Sequence, residues 1–160
     1  MSEQLEVFPA GAISPEDVKA CVSVLDEGGA LKNVQTAADE LPHCLFVVVK
    51  RDAGQVIAVG AIKAQRPRYA AGIASDRKSG YNFDPQMHEL GYVVVKESHQ
   101  RKGYSKEITE KLLALLPGKS LFATTSNLRM IATLAKYGFT QRGKTWKSPK
   151  GKTLSLWIKD

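Results

Sequence analysis

The stretch from Glu89 to Leu116 constrains the fold more than any other. An apolar strand, ELGYVVV, passes through the short polar turn KESHQRKG into a segment with Ile108, Leu112 and Leu115 at helical spacing. A buried strand that feeds a helix through so short a turn belongs to a sheet covered by helices, an α/β architecture. Glu107 and Lys111 form an i,i+4 pair on the wet side of that helix, and Pro117-Gly118 ends it. The exposed amides of its first turn and the positive end of its dipole make an anion site. Gly103, with no side chain, lets the backbone approach a phosphate. The turn is neither a Walker A loop nor a Rossmann glycine fingerprint.

Around this unit the chain predicts alternating strands and helices. Gln4 to Pro9 reads as a first strand. Ser14-Pro15-Glu16-Asp17 supplies an N-cap, a proline at the first helical position and two first-turn acids for a helix ending near Glu27. Asn33 to Leu41 predicts a short second helix stopped by Pro42. Leu45 to Lys50 and Gln55 to Lys63 are β-rich runs joined by Arg51-Asp52-Ala53-Gly54, a hairpin signal. Arg66 to His88 shows neither period and predicts a long loop. Leu121 to Thr124 is a further strand, followed by a helix from Ser126 or Asn127 to Gly138 and a closing hairpin, Phe139 to Trp146 and Thr153 to Ile158. The sum is a mixed sheet with helices on it, expected as one domain over residues 1–160.

Composition narrows the class. At 43% apolar and 24% charged residues the chain is of ordinary globular type rather than disordered or fibrous. Its longest apolar runs, Leu45 to Val49 and Val56 to Ile62, fall far below the roughly 20 residues of a membrane-spanning helix. The opening MSEQLEVFPA lacks the basic and apolar segments of a secretory signal, so a cytoplasmic location is expected. Cys21 and Cys44 have neither a CxxC partner nor a histidine at zinc spacing; both are expected as small buried thiols, and no metal is expected. The net charge of +7 is unevenly spread. Residues 1–45 hold eight acids and two bases, the remainder eight acids and 21 bases. Such a surplus suits a polyphosphate cofactor or a nucleic acid, and equally a solvated surface.

In the turn, Gln100, Gly103 and Ser105 occupy the three specified positions of R/Q-x-x-G-x-G/A, with Ser105 departing from the usual Gly or Ala. The strand ELGYVVV precedes the turn, and the segment NLRMIATLAKYGF, from Asn127 to Phe139, follows it. In these features, and in element order from about residue 4 to 158, the chain resembles the GNAT superfamily of N-acetyltransferases. The resemblance implies a mixed, mainly antiparallel α/β sheet splayed between its fourth and fifth strands, where acetyl-CoA lies as acyl donor. The backbone of Val93 and Val95 then holds the pantetheine arm. The amides of Arg101, Lys102, Gly103, Tyr104 and Ser105 hold the pyrophosphate, and Gln100, Lys102 and Lys106 are its polar neighbours. Asn127 is implied as a cofactor contact or a helix cap.

The implied reaction is direct attack of a primary amine on the thioester. An alkylammonium with a pKa of about 10.4 must first lose a proton. The resemblance assigns that role to Glu89 at the start of the fourth strand; the histidines His88 and His99 are weaker candidates. Leu134 stands where the family usually carries a tyrosine acid. Packing under the last hairpin is the preferred role of Tyr137, next to Gly138; either the thiolate leaves without a tyrosine acid, or Tyr137, Ser126 or a loop tyrosine substitutes, or catalysis is lost. The rival class is a binding module of the same fold, or an enzyme with a nucleic-acid-linked or protein acceptor. It would use Arg66, Arg68, Tyr69, Arg77, Lys78, Tyr81 and Phe83 of the loop and the basic last hairpin. The small-acceptor reading is preferred, with the chain a monomer or homodimer and no membrane partner.

Overall fold

A computed structural model describes residues 3–64 and 66–160. The elements are β1 (Glu3–Pro9), α1 (Pro15–Glu27), α2 (Val34–Glu40), β2 (Phe46–Asp52), β3 (Gln55–Lys63), α3 (Pro67–Ala74), β4 (His88–Val95), α4 (Tyr104–Leu115), β5 (Leu121–Thr125), α5 (Leu128–Lys136), β6 (Thr140–Lys147) and β7 (Thr153–Lys159). Among the described residues, seven strands form one sheet in the order β1-β2-β3-β4-β5-β7-β6. Pairings of β1 with β2, β2 with β3, β5 with β7 and β6 with β7 are antiparallel. β4 runs parallel to β5 in a register of two pairs, His88 opposite Leu121 and Glu89 opposite Phe122. This is the mixed, mainly antiparallel α/β sheet expected from the sequence.

The chain divides into two compact units, Met1–Ala64 with Leu90–Pro117, and Gln65–Glu89 with Gly118–Asp160. In the first, β2 and β3 alternate beyond a register shift between Lys50 and Arg51. Val47, Val49, Val59 and Ala61 enter a cluster with Val18, Val22 and Leu25 of α1 and Ala37 of α2. Gly60 and Lys50 face the opposite side and meet α4: a Cβ at Gly60 would lie 2.3 Å from Ile108 Cγ2, and Lys50 Nζ is 2.9 Å from Glu107 Oε1. The β2–β3 connection is the two-residue turn Ala53-Gly54, with φ of 52° and 81°, the left-handed pair that matches strand twist. Cys21 and Cys44 are both buried. Burial pushes the Cys21 thiol up to about 12, so it stays protonated and inert.

In the second unit, Ala70 and Ile73 of α3 pack with Phe122, Trp146, Leu156 and Ile158. The helix α3 lies inside the stretch expected to be a loop. It is only eight residues long, starts on Pro67 and buries one i,i+3 pair, too little repetition to register as a period. Strand β6 carries an unpredicted irregularity between Arg142 and Trp146, where Gly143 takes φ of 71°.

Candidate functional site

The turn after β4 is built from backbone geometry. Lys96 N donates to Ile57 O at 2.8 Å, a single 3₁₀ turn covers Glu97–His99, and the chain then takes positive φ at Arg101 (68°) and Gly103 (82°). Residues of alternating hand turn successive N–H groups to one side, the concavity that holds anions. Gly103 is the N-cap of α4 and no side chain caps this helix, whereas Ser14, Asn33 and Asn127 cap α1, α2 and α5. The first-turn amides of α4 thus lack the side-chain partner those helices have. A Cβ at Gly103 would meet nothing within 4 Å, so it is the left-handed φ, not crowding, that calls for glycine here. Arg101, Lys102 and Lys106 are exposed beside it, and Tyr104 and Ser105 are half-buried.

Three bonds pin this turn to β1 and β2. His99 Nε2 lies 3.0 Å from Asp52 Oδ2, with Ser98 Oγ 2.7 Å from its Nδ1. Tyr104 Oη donates to Glu3, and Glu107 pairs with the buried Lys50. The Glu3 bond is the main cause that pushes the Tyr104 phenol up to about 12, so it remains a neutral donor. Gln100 does not point into open space: its Nε2 donates to Val95 O at 3.1 Å, joining two of the residues expected at the cofactor. Val93 and Val95 are half-buried.

Sequence reading missed a feature of β4. Tyr92 takes φ of 54° within the strand, a strained geometry for a non-glycine residue. Its hydroxyl donates to Glu40 and Lys63 Nζ sits 3.8 Å from its ring centroid. Gly91, a glycine inside a strand pattern, was the available signal. By contrast, nothing in an arginine foretells the left-handed φ of Arg101.

The second unit holds the remaining candidates. Glu89 is buried at 5% exposure, and Arg66 Nη2 lies 3.0 Å from its Oε1. The Arg66 guanidinium in turn lies 3.9 Å from the Tyr69 ring centroid. The strand-end acid is therefore held, not solvated. Burial, and then Lys119, hold the neighbouring His88 below its ordinary value. Asn127 caps α5, its Oδ1 accepting from the amides of Arg129 (2.9 Å) and Met130 (3.1 Å). Leu134 is fully buried, and Tyr137 is half-buried at the end of α5 with Lys136 Nζ 5.7 Å from its ring. Among the described residues no group of three or more His, Cys, Asp or Glu is gathered to hold a metal, and no helix is long and apolar enough to cross a membrane.

The model of the acetyltransferase (GNAT) family matches residues 18–139. The chain belongs to the GNAT acetyltransferase family. No curated protein sequence matches it. Solved structures similar to this GNAT chain include an acyl-CoA N-acyltransferase from Pseudomonas aeruginosa (TM-score 0.70, 12% identity, 99% of this chain and 100% of that one). The ribosomal-protein-S18-alanine N-acetyltransferase from Escherichia coli gives a TM-score of 0.69 at 14% identity, over 98% and 93%. Arabidopsis thaliana NAA60, in complex with a bisubstrate analogue, gives 0.65 at 10%, over 97% of each chain. At these identities the likeness is one of fold, and the GNAT fold supports acyl transfer in general.

Proposed function

We propose that this GNAT protein transfers an acetyl group from acetyl-CoA to a primary amine by direct attack. The observation that carries the reading is the α4 N-terminus, left without a side-chain cap behind a turn with positive φ at Arg101 and Gly103. This cradle suits a pyrophosphate: no side chain caps the helix start, no Cβ intrudes at Gly103, and Arg101, Lys102 and Lys106 add positive charge. The residues assigned to the cofactor are Val93 and Val95 for the pantetheine arm, the amides of Arg101 through Ser105 for the phosphates, and Lys102 and Lys106 beside them. Gln100 acts by holding the Val95 carbonyl. Asn127 is assigned the same cofactor alongside its cap. Bound acetyl-CoA supplies an activated thioester carbonyl.

The chain's own residues manage protons. Glu89 accepts the proton that the ammonium must lose before its nitrogen can attack, directly or through one water. Arg66 fixes the carboxylate in place, so that its orientation is set before the amine arrives. With Leu134 buried and apolar, the proton for the departing sulfur is assigned to Tyr137. Release of free thiol from acetyl-CoA, measured against amines, polyamines, amino acids, peptides and aminoacyl-tRNA, tests the reading. Thiol release that depends on at least one amine is expected; release with none of them, or only at the rate without acceptor, contradicts it.

A further inference from the structure

The positive charge of the chain belongs to one unit. Gln65–Glu89 and Gly118–Asp160 hold 13 Lys and Arg against four Asp and Glu, a net of +9, leaving −2 for the unit that carries the phosphate turn. Residues 118–159 contain nine bases and no acid. The cations of the turn, Arg101, Lys102 and Lys106, lie in the first unit, so the surplus of the second is additional to them.

Within the second unit the irregularity in β6 draws two basic segments together. Lys144 N donates to Ser79 O at 2.9 Å, and the Lys144 Cε lies 3.7 Å from where a Cβ on Gly80 would stand. A Cβ on Gly143 would lie 2.9 Å from Tyr81 Cβ and 2.3 Å from Ser79 O, so glycine is needed for this approach. Side-chain bonds brace the turn: Ser79 is buried, its Oγ donates to Ile73 O at 2.7 Å and accepts from Tyr81 N at 3.2 Å. Arg77, Lys78 and Lys144 thus gather around one braced turn, next to a tyrosine that is 37% exposed. The other aromatics of these segments are otherwise engaged. Phe83 packs on Phe122 with ring centroids 5.0 Å apart, Trp146 is in the core, and Tyr69 lies beside Arg66.

We infer that this surface binds single-stranded nucleic acid, with Arg77, Lys78 and Lys144 on backbone phosphates and Tyr81 as a stacking platform. Clustered cations beside an exposed ring on a braced turn are the combination that single strands need, whereas an acidic protein would need the cations alone. The inference does not rest on the acetyl-transfer reading and stands or falls separately from it.

The test is fluorescence anisotropy of the full chain with labelled single-stranded RNA and DNA oligonucleotides across a salt series. Binding at physiological salt is expected for both. Arg77→Ala/Lys78→Ala/Lys144→Ala is expected to flatten the log-log salt slope by about 2, three contacts at about 0.7 each. Tyr81→Ala is expected to weaken binding about 5- to 140-fold with the slope unchanged, and Tyr81→Phe to restore it, both at unchanged melting temperature. An acetyl-CoA thermal shift retained by these variants separates this surface from the cofactor turn. No binding at physiological salt overturns the inference. So does loss of binding on Arg101→Ala/Lys102→Ala instead. Equal competition by polyglutamate, together with an indifferent Tyr81→Ala, reassigns the surface to an acidic protein and also overturns it.

Discussion

Glu89→Gln is expected to lower turnover by about 10² to 10⁴ while leaving acetyl-CoA affinity unchanged, the range that a positioned general base supplies. The glutamine keeps the volume of a side chain that is 5% exposed, so the packing of β4 survives, and it keeps a carbonyl oxygen for Arg66 at the position now 3.0 Å away. What it cannot do is accept the ammonium proton. The deficit is therefore expected to shrink as pH rises towards the amine's own value of about 10.4, where the acceptor sheds the proton to solvent. Turnover at the wild-type level at pH 7 contradicts the assignment and leaves Glu89 as the partner of Arg66 alone. Initial rates from pH 6 to pH 10, with saturating acetyl-CoA, distinguish the two.

Gly60→Ala is expected to destabilise the fold by about 1 to 3 kcal/mol, a fall in melting temperature of about 2 to 4 °C per kcal/mol. The added methyl would stand 2.3 Å from Ile108 Cγ2 and 3.1 Å from Leu112 Cδ1, and both side chains are fully buried. Neither can swing into solvent, so relief has to come from movement of α4 against β3. Since α4 begins at the turn assigned to the phosphates and is tied to β2 through Lys50 and Glu107, acetyl-CoA binding is expected to weaken along with stability. Thermal melts of Gly60→Ala beside Gly54→Ala provide the comparison. A Cβ at Gly54 meets nothing within 4 Å, so only the strain of its φ of 81° applies there. Equal melting temperatures in wild type and Gly60→Ala contradict the packing account.

The sequence carried the elements well where local chemistry and burial agree. Ser14-Pro15 starts α1, Asn127 caps α5, and Asp52-Ala53-Gly54 closes the β2–β3 hairpin, each through side-chain or turn geometry that needs no distant partner. The turn between β4 and α4 was equally visible, because a strand, a glycine and a helix in close succession leave few alternatives. What escaped depends on residues far apart in the chain. Arg66 belongs with Glu89 across 23 positions, and Asp52 with His99 across 47. Tyr92 takes its strained φ within a strand whose pattern is otherwise regular, and its hydroxyl finds Glu40 52 residues away. The helix α3 escaped for a different reason, since eight residues with a single buried pair offer too little periodicity. Clustering of the basic residues was also out of reach: the contact of Lys144 with Ser79 depends on the irregular register of β6, which no alternation of residues encodes.

The central claim is that residues 93–106 hold acetyl-CoA, and ligand-dependent thermal stability tests it without requiring the acceptor. At about a hundred times its dissociation constant, acetyl-CoA is expected to stabilise the fold by about 2.7 kcal/mol, a rise of several degrees in melting temperature. Gly103→Asp is the matched variant. Its Cβ meets no neighbour within 4 Å, so the free protein bears mainly the strain of a φ of 82°, while the new carboxylate stands where the phosphates are assigned. The account predicts a rise for the wild-type chain and none for Gly103→Asp. An unchanged wild-type melting temperature at millimolar acetyl-CoA, or an equal rise in both proteins, contradicts it.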